Sequence, residues 1–431
     1  MYTNRQKYDQ NYTGLINSSE DRKQKLITIT NNYHHNNPIK NVSLTKLYLV
    51  LPSPIKTTMR GTEKFTLGLA TYLNNYFDVT ILEPKYNSAK YAKTDKNRVN
   101  EKYSTLKLRT IKLMKLKLPF GQFFYKFRGL PKDGIIYLPF DFYSEMLTLL
   151  SKPKGQIYIL GVAHGLHLQN GELAHHGNIG KIILHVAKIL LAFKGKDFRE
   201  TVYYHTNNDE QSKYLLKAGM LKDHIFQIPN FTDISKFYVS NNNSEKLKVL
   251  NIGGVSKNAD FVVKIIDKLT KQHALNKYEF HFIGSRVPKE LERYKKYKNI
   301  IVHGFIDDNK KAEIMSKMDV LALTDIETFS ITMLEGLASG LTIISSDGNP
   351  AAFELKNLGA SIYIAKLSNI NDYITTLKKV SKSKQEGILN LQRSKNRDII
   401  IHNYSEEVVF KKIKKSLPIF DIISKRRFSL P

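Results

Sequence analysis

The sequence predicts an α/β protein of two domains, each a parallel, doubly wound sheet, and three observations carry that expectation. A short apolar strand, a glycine-bearing loop, a helix and a second strand follow one another over residues 46–82 and again over 248–283, the order from which parallel sheets are built. Between them, Ser240, three asparagines and Ser244 form a polar run of linker composition. At 431 residues and 42% hydrophobic content the chain carries more apolar material than one core takes up. The expected boundaries are a polar leader at 1–43, a first domain at 44–240, a second at 245–400, and a C-terminal helix with a basic tail at 401–431.

Residues 1–43 are rich in Asn, Tyr, Lys and Thr and lack both sustained periodicity and the apolar centre of a signal peptide, so they read as a mobile leader. The first domain opens with a strand at 46–51, a loop ending Met59-Arg60-Gly61, a helix at 62–75 and a strand at 78–82. Gly61 lets the backbone pass close to a ligand at the C-terminal sheet edge. Residues 106–132 alternate apolar and basic side chains and end in the basic-aromatic segment 120–128, which suits either a solvated edge or an anionic lipid surface. Apolar runs follow at 134–140 and 156–163, the second placing His164 at a strand's C-terminal end, where such sheets bind ligands. His167, His175 and His176 have no acid at ligand spacing, so no metal site is expected. The longest apolar stretch, 182–193, is interrupted by His185 and Lys188 and falls short of the roughly 18 residues of a spanning helix. A strand at 201–204, an amphipathic helix at 207–218 closed by Gly219, and the run Ile228-Pro-Asn-Phe-Thr-Asp233 complete the domain.

The second domain repeats the plan. A strand at 248–252 leads into a loop with Gly253, Gly254 and Lys257, then a helix at 260–270 and a strand at 278–283 closed by Gly284, Ser285 and Arg286. A strand at 300–302, Gly304, a helix at 310–317 and a strand at 320–324 follow. Each glycine loop closes a strand at the same edge, where anionic ligands gather.

The stretch 325–347 carries the chemistry. Ser330 reads as an N-cap, Ile331, Leu334, Leu337 and Ala338 recur on one helical face, Gly340 ends the helix, and 341–345 is an apolar strand. Glu327 lies just before the helix and Glu335 about one turn inside it, so two carboxylates flank the free amides of residues 331–333. Free amides at a helix start attract phosphate and carboxylates suit hydroxyl groups, which together describe a pocket for a sugar attached to a phosphate. Neither acid belongs to the apolar face, so neither is expected to support the fold.

The run Glu-x-Phe-Ser-x-x-x-x-Glu-Gly-x-Ala-x-Gly, from Glu327 to Gly340, resembles the signature of retaining glycosyltransferases of the GT-B fold, family-four type. The run at 228–237, and the capped helix start at Ser405 with Glu407, Val409 and Phe410, resemble the segments with which that family leaves its first domain and returns to it. The resemblance implies two Rossmann-like domains facing across a cleft. It implies a nucleotide-sugar donor, a UDP-, GDP- or ADP-sugar, held by the second domain, a glycan or lipid-linked acceptor held by the first, and no metal. On the matching positions, Glu327 would hold the donor sugar's hydroxyls and His164 would lie beside sugar and acceptor. The amides after Phe329 and Ser330, including that of Ile331, would meet the leaving diphosphate, Glu335 would meet the ribose, and Gly61, Gly253 and Gly254 would admit the phosphates. Two departures stand out. Family members place an arginine and a lysine where this chain has Gly254 and Ala259, leaving Lys257 and Arg286 as the cations in reach, and Phe231 stands where the family has glycine.

Lysine and arginine number 67 against 39 acids, a net charge of +28, which favours anionic partners. No nucleic-acid-reading motif accompanies the charge, so nucleic acid is a remote reading and an anionic membrane face, reached through 120–128 and the tail 424–428, a nearer one. The absence of cysteine excludes disulfides and fits a reducing compartment, the cytoplasm, with attachment to the inner membrane face. A non-catalytic binding relative is the remaining alternative.

Overall fold

A computed structural model of the chain describes residues 44–51, 61–84, 109–113, 130–138, 156–161, 168–169, 172–173, 200–240, 244–253, 258–284, 288–294, 296–417 and 419–420. The leader, the segment 120–128, His164, Gly254, Lys257, Arg286 and the tail 424–428 lie outside the described residues. The chain divides into two compact units, 1–44 and 45–431, and the second holds both large sheets.

The first sheet is built from β1 (Lys46–Val50), β2 (Asp78–Pro84), β3 (Arg109–Leu113), β4 (Ile135–Leu138), β5 (Tyr158–Gly161), β8 (Val202–Thr206) and β9 (Ile225–Gln227), in the order β3-β2-β1-β4-β5-β8-β9, with every pairing parallel. A separate antiparallel pair, β6 (Leu168–Gln169) and β7 (Glu172–Leu173), stands apart from it. The second sheet, β10 (Leu247–Ile252), β11 (Tyr278–Ile283), β12 (Ile300–Gly304), β13 (Val320–Leu323), β14 (Thr342–Ser346) and β15 (Ile362–Ala365), is also parallel, in the order β12-β11-β10-β13-β14-β15. Both sheets are buried on two faces, which is why their strands read as continuous apolar runs. On β1, Leu47 and Leu49 enter one core while Tyr48 and Val50 enter the other.

The helices that matter for the site are α1 (Gly61–Leu73), α2 (Asp209–Lys217), α3 (Ala259–Lys271), α4 (Asp308–Ser316), α5 (Ile331–Ala338), α6 (Pro350–Asn357), α7 (Ile370–Gln385), α8 (Ile388–Tyr404) and α9 (Glu406–Ser416). At the α8–α9 junction the chain leaves the second half: Thr232 pairs with Ser405 and donates its N–H to the Tyr404 carbonyl at 3.1 Å. The Ser405 side chain caps α9, and Val409 and Ile413 are then buried in the core of the first half, with Phe410 stacked on Tyr72 at 4.5 Å. The expected crossing back of the C-terminal helix is therefore present.

Phe231, the residue in place of the family's glycine, explains itself here. Its ring lies 5.2 Å from Phe65 and 5.0 Å from Phe410, and it fills the space over Gly68 so closely that a Cβ on Gly68 would stand 2.7 Å from the ring. The large side chain on one element and the missing one on the other are a matched pair. A glycine inside a helix normally loses up to about 1 kcal/mol against alanine, so Gly68→Ala should stabilise an isolated helix. In this core it should instead lower the melting temperature, because overpacking costs roughly 1–3 kcal/mol. In a Phe231→Leu background the same change should become neutral or stabilising, and thermal denaturation of the four proteins checks the reversal.

Candidate active site

The two sheets present their C-terminal edges to each other. From the first come Gly61, opening α1, Asn207 and Asn208 after β8, and Ile228 to Asn230 after β9. From the second come Gly253 after β10, Gly284 after β11 and the loop 324–330 after β13. The approach is close: a Cβ on Gly61 would be 3.5 Å from Ile331 Cδ1, so the starts of α1 and α5 meet. Of the expected residues, the structure thus brings together Gly61, Glu327, Phe329, Ser330, Ile331 and Glu335.

The loop carrying Glu327 is irregular yet mostly buried, with Thr328, Phe329 and Ser330 each 5% exposed or less. Its polar groups are satisfied by side chains, as a buried loop requires. The Glu327 N–H donates to Asn349 Oδ1 at 2.5 Å, Asn349 Nδ2 donates to Ser345 Oγ at 2.8 Å, and Ser346 Oγ donates to the Asp325 carbonyl at 2.6 Å. Gly348 lets this turn lie against Ile326, which a Cβ there would approach to 2.9 Å. From the first half, Asn230 Nδ2 donates to the Phe329 carbonyl at 2.6 Å and Asn208 Nδ2 to the Thr328 carbonyl at 3.3 Å. Sequence reasoning passed over Asn208, Asn230, Ser345, Ser346 and Asn349, since short polar residues after strands are ordinary turn formers and only their partners make them notable.

His205 sets the strands that deliver those asparagines. Its Nε2–H donates to the Ile228 carbonyl at 2.8 Å, which leaves Nδ1 to accept from Tyr137 OH at 2.7 Å. Burial pushes its pKa down to about 4 from the ordinary 6.5, against the opposing pull of the Ile228 carbonyl. The neutral ring is thus the folded form, and its contribution to stability, complete above pH 6.5, declines as the pH falls through this window toward 4.

Two expectations about α5 are corrected. Ser330 occupies the N-cap position with extended backbone, but its side chain makes no capping bond. The helix is also buried nearly all round rather than on one face, with Met333, Leu334, Gly336, Leu337 and Ala338 inside, because it is sandwiched between β13, β14 and the second half's other helices. A Cβ on Gly336 would come within 2.8 Å of Leu321.

Glu335 shares that burial and is not a bystander to the fold. It is 4% exposed, and its two carboxylate oxygens accept from Lys311 Nζ at 2.8 and 2.9 Å. Lys64 of α1 reaches across from the first half, 3.7 Å from Glu335 and 2.8 and 2.9 Å from the two oxygens of Asp308. Two lysines and two acids form a neutral cluster spanning the halves. Burial alone would raise the Asp308 carboxyl, but Lys311 and Lys64 outweigh it and hold it well below the usual range. Burial would likewise lower Lys64, and Glu335 and Asp308 reverse the shift. No sequence signal announced Lys64 or Lys311, whose partners lie 271 and 24 positions away in the chain.

The position matched to the family's lysine, Ala259, is fully buried in the second core at the start of α3. A diphosphate cannot draw a cation from it. The neighbouring Asn258, at φ 58°, ties this loop to β13 by donating Nδ2 to the Thr324 carbonyl at 3.0 Å. Among the described residues no group of three or more His, Asp or Glu is placed to hold a metal ion.

With this geometry in view, comparison with known proteins is decisive for the second half: the profile of the family described as Glycosyl transferases group 1 matches residues 246–382. That half of the chain is therefore similar to a group 1 glycosyltransferase domain. The whole chain has the GT-B fold of two Rossmann-like domains. It superposes on HepE from Anabaena, solved with UDP, with TM-score 0.61 and 12% identity, covering 86% of this chain and 99% of that one. It is similar to sucrose-phosphate synthase from Thermosynechococcus elongatus with TM-score 0.64 and 14% identity, covering 89% and 100%. A third similar structure is TarM from S. aureus, with TM-score 0.62 and 13% identity, covering 86% and 99%. No curated protein matches the chain.

Glu335 thus lies inside an ion-pair cluster, within the stretch that matches the group 1 profile. Glu335→Gln should leave two buried lysines, Lys64 and Lys311, sharing the single carboxylate of Asp308, and should lower the melting temperature, with the roughly 3–5 kcal/mol of a fully broken buried pair as the upper bound. Glu327→Gln, on a half-buried loop position, should leave the melting temperature near wild type. Thermal denaturation without ligand separates the two, and equal melting temperatures for both variants would contradict the cluster's role.

Proposed function

We propose that the protein is a nucleotide-sugar-dependent glycosyltransferase that moves a sugar to a glycan or lipid-linked acceptor with retention at the anomeric carbon. The observation that carries this reading is the placement of Glu327 and the start of α5 opposite Gly61, between two sheet edges of a GT-B fold whose second half matches the group 1 family. Transfer breaks the bond from the anomeric carbon to the diphosphate and forms one to an acceptor oxygen, releasing nucleoside diphosphate and a proton. Charge therefore develops on the diphosphate. The amides of Ile331 and Thr332 are suited to receive it, whereas that of Met333, expected to be free, already donates to the Ser330 carbonyl at 3.1 Å; such preorganised donors are the largest single contribution an active site makes. Glu327, held by Asn349, is suited to the hydroxyls of the sugar. Glu335, one turn into the same helix and paired with Lys311, keeps lone pairs with which to accept from a ribose hydroxyl.

Support for UDP as the first nucleotide to try comes from HepE, solved with UDP, with UDP and glucose, and with UDP-glucose, and from TarM, solved with UDP, α-GlcNAc-glycerol and fondaparinux. A panel of UDP-, GDP- and ADP-sugars read by thermal shift tests the reading, since a ligand at about 100 times its Kd stabilises by about 2.7 kcal/mol. With the preferred donor, Glu327→Gln should lower kcat on the order of 10² to 10³, the loss of a contact made in the transition state. Normal kcat in that variant would remove Glu327 from the chemistry. A second reading, a nucleotide-sugar-binding relative without transferase activity, is favoured by the buried Ala259 where the family has a cation. Binding without turnover of donor would select it.

The same reading places the protein on the cytoplasmic side of a membrane bearing its acceptor. Among the described residues no helix is long and apolar enough to cross a bilayer. The outer face of α9, however, exposes Lys412, Lys414 and Lys415 just before the basic tail, and each such charge near an anionic surface is worth about 1 kcal/mol. The protein should sediment with anionic vesicles, be released by moderate salt, and ignore neutral ones. Equal binding to both kinds, or to neither, rejects membrane attachment.

A further inference from the structure

Asn230 is 1% exposed, and its amide is oriented without ambiguity, because the Phe329 carbonyl it meets at 2.6 Å can only accept. Its own Oδ1 is buried with no hydrogen-bond partner among the described residues. An unpaired buried acceptor costs stability, so an apolar residue of similar size would serve the core better. What the asparagine uniquely supplies is a donor, delivered from the first half to the backbone of the second. Asn208 supplies another: its Oδ1 caps α2 by accepting from the Gln211 N–H at 3.0 Å, while its Nδ2 reaches the Thr328 carbonyl.

We infer that Asn230, assisted by Asn208, is a positioning residue that sets the peptide planes from Thr328 to Ser330 and so aims the Phe329 and Ser330 amides that lead into α5. The described peptides are all trans, and in a trans peptide the N–H points opposite to the C=O. Holding the Thr328 carbonyl turns the Phe329 N–H away from Asn208, and holding the Phe329 carbonyl turns the Ser330 N–H away from Asn230. The first half thereby dictates, through two side chains, the direction of two successive donors that belong to the second. Phe329 is fixed from within the second half, its ring 5.4 Å from Tyr404, the last residue of α8 before the chain crosses back. Orientation of the anion-binding amides is in this way tied to the docking of the two halves, so the site is assembled only when they are engaged. The assignment of these amides to a donor's diphosphate rests on the function proposed above. The orientation itself does not.

Asn230→Leu removes the donor and the orphan oxygen together. Asn208→Asp keeps an N-cap acceptor for Gln211 and removes only the donor to Thr328, which tests the pair if the first variant folds poorly. Hydrogen exchange of peptides covering 326–335 should become about tenfold faster in Asn230→Leu and less so in Asn208→Asp, with strand 342–346 unchanged and the melting temperature near wild type. With UDP as the probe, affinity should fall about tenfold in Asn230→Leu, the scale of one net hydrogen bond. Unchanged exchange in both variants overturns the inference, and so does undiminished UDP affinity where the wild type binds UDP. Faster exchange in the variants, with wild type and variants alike failing to bind UDP, supports the positioning of the loop and counts against UDP as the donor's nucleotide.

Discussion

The structure depends on keeping a non-repetitive backbone buried. Residues 324–330 must be irregular, because a strand or helix would tie up the groups that face the cleft, and they must be inside, because both halves close over them. Burying such a segment is tolerable only when its amides and carbonyls find partners. Asn349 and Ser346 supply them from one side and Asn208 and Asn230 from the other. That double provision makes the loop a joint property of the two domains.

The same logic governs charge. A buried carboxylate at Glu335 is tolerable only beside a cation, and Lys311 lies on the helix before β13 while Lys64 lies on the first helix of the other half. Because the cluster is neutral, the strongly basic chain offers no surplus charge at this spot. On the function proposed above, phosphate neutralisation at the start of α5 would then fall to backbone amides and to cations outside the cluster. A site that relies on oriented amides more than on lysines is sensitive to small changes in loop direction, which is why the asparagines carry weight.

Packing connects these points to the rest of the chain. Phe231 follows Asn230 directly, and its seat over Gly68, between Phe65 and Phe410, anchors the turn from which Asn230 projects. Phe410 belongs to the returning helix α9, so the helix that leaves the second half stabilises the residue that grips its loop. Where the resembled pattern has glycine this chain has a large ring, and the missing side chain of Gly68 makes the room for it.

Strand and helix positions were readable in the residues because parallel sheets covered on both faces demand unbroken apolar runs, as at 248–252 and 278–283, and because Gly61, Gly253 and Gly284 punctuate them at one edge. The glutamate pair and the helix between Ser330 and Gly340 were readable too, since local spacing and capping act over a few positions. The stretch 350–404 offered no motif, and α6, α7 and α8 became evident only in three dimensions. Local pattern also misjudged how buried α5 is and gave Glu335 no part in the fold, because periodicity reports one helix's own face and says nothing of what covers the other. The partners of Glu335, Asn208 and Asn230 are brought in by long-range closure of two sheets, and a contact between positions 230 and 329 leaves no trace in either neighbourhood. Local chemistry is written in short spans of chain, whereas charge pairing and buried hydrogen bonds across a cleft exist only once both sides have folded and met.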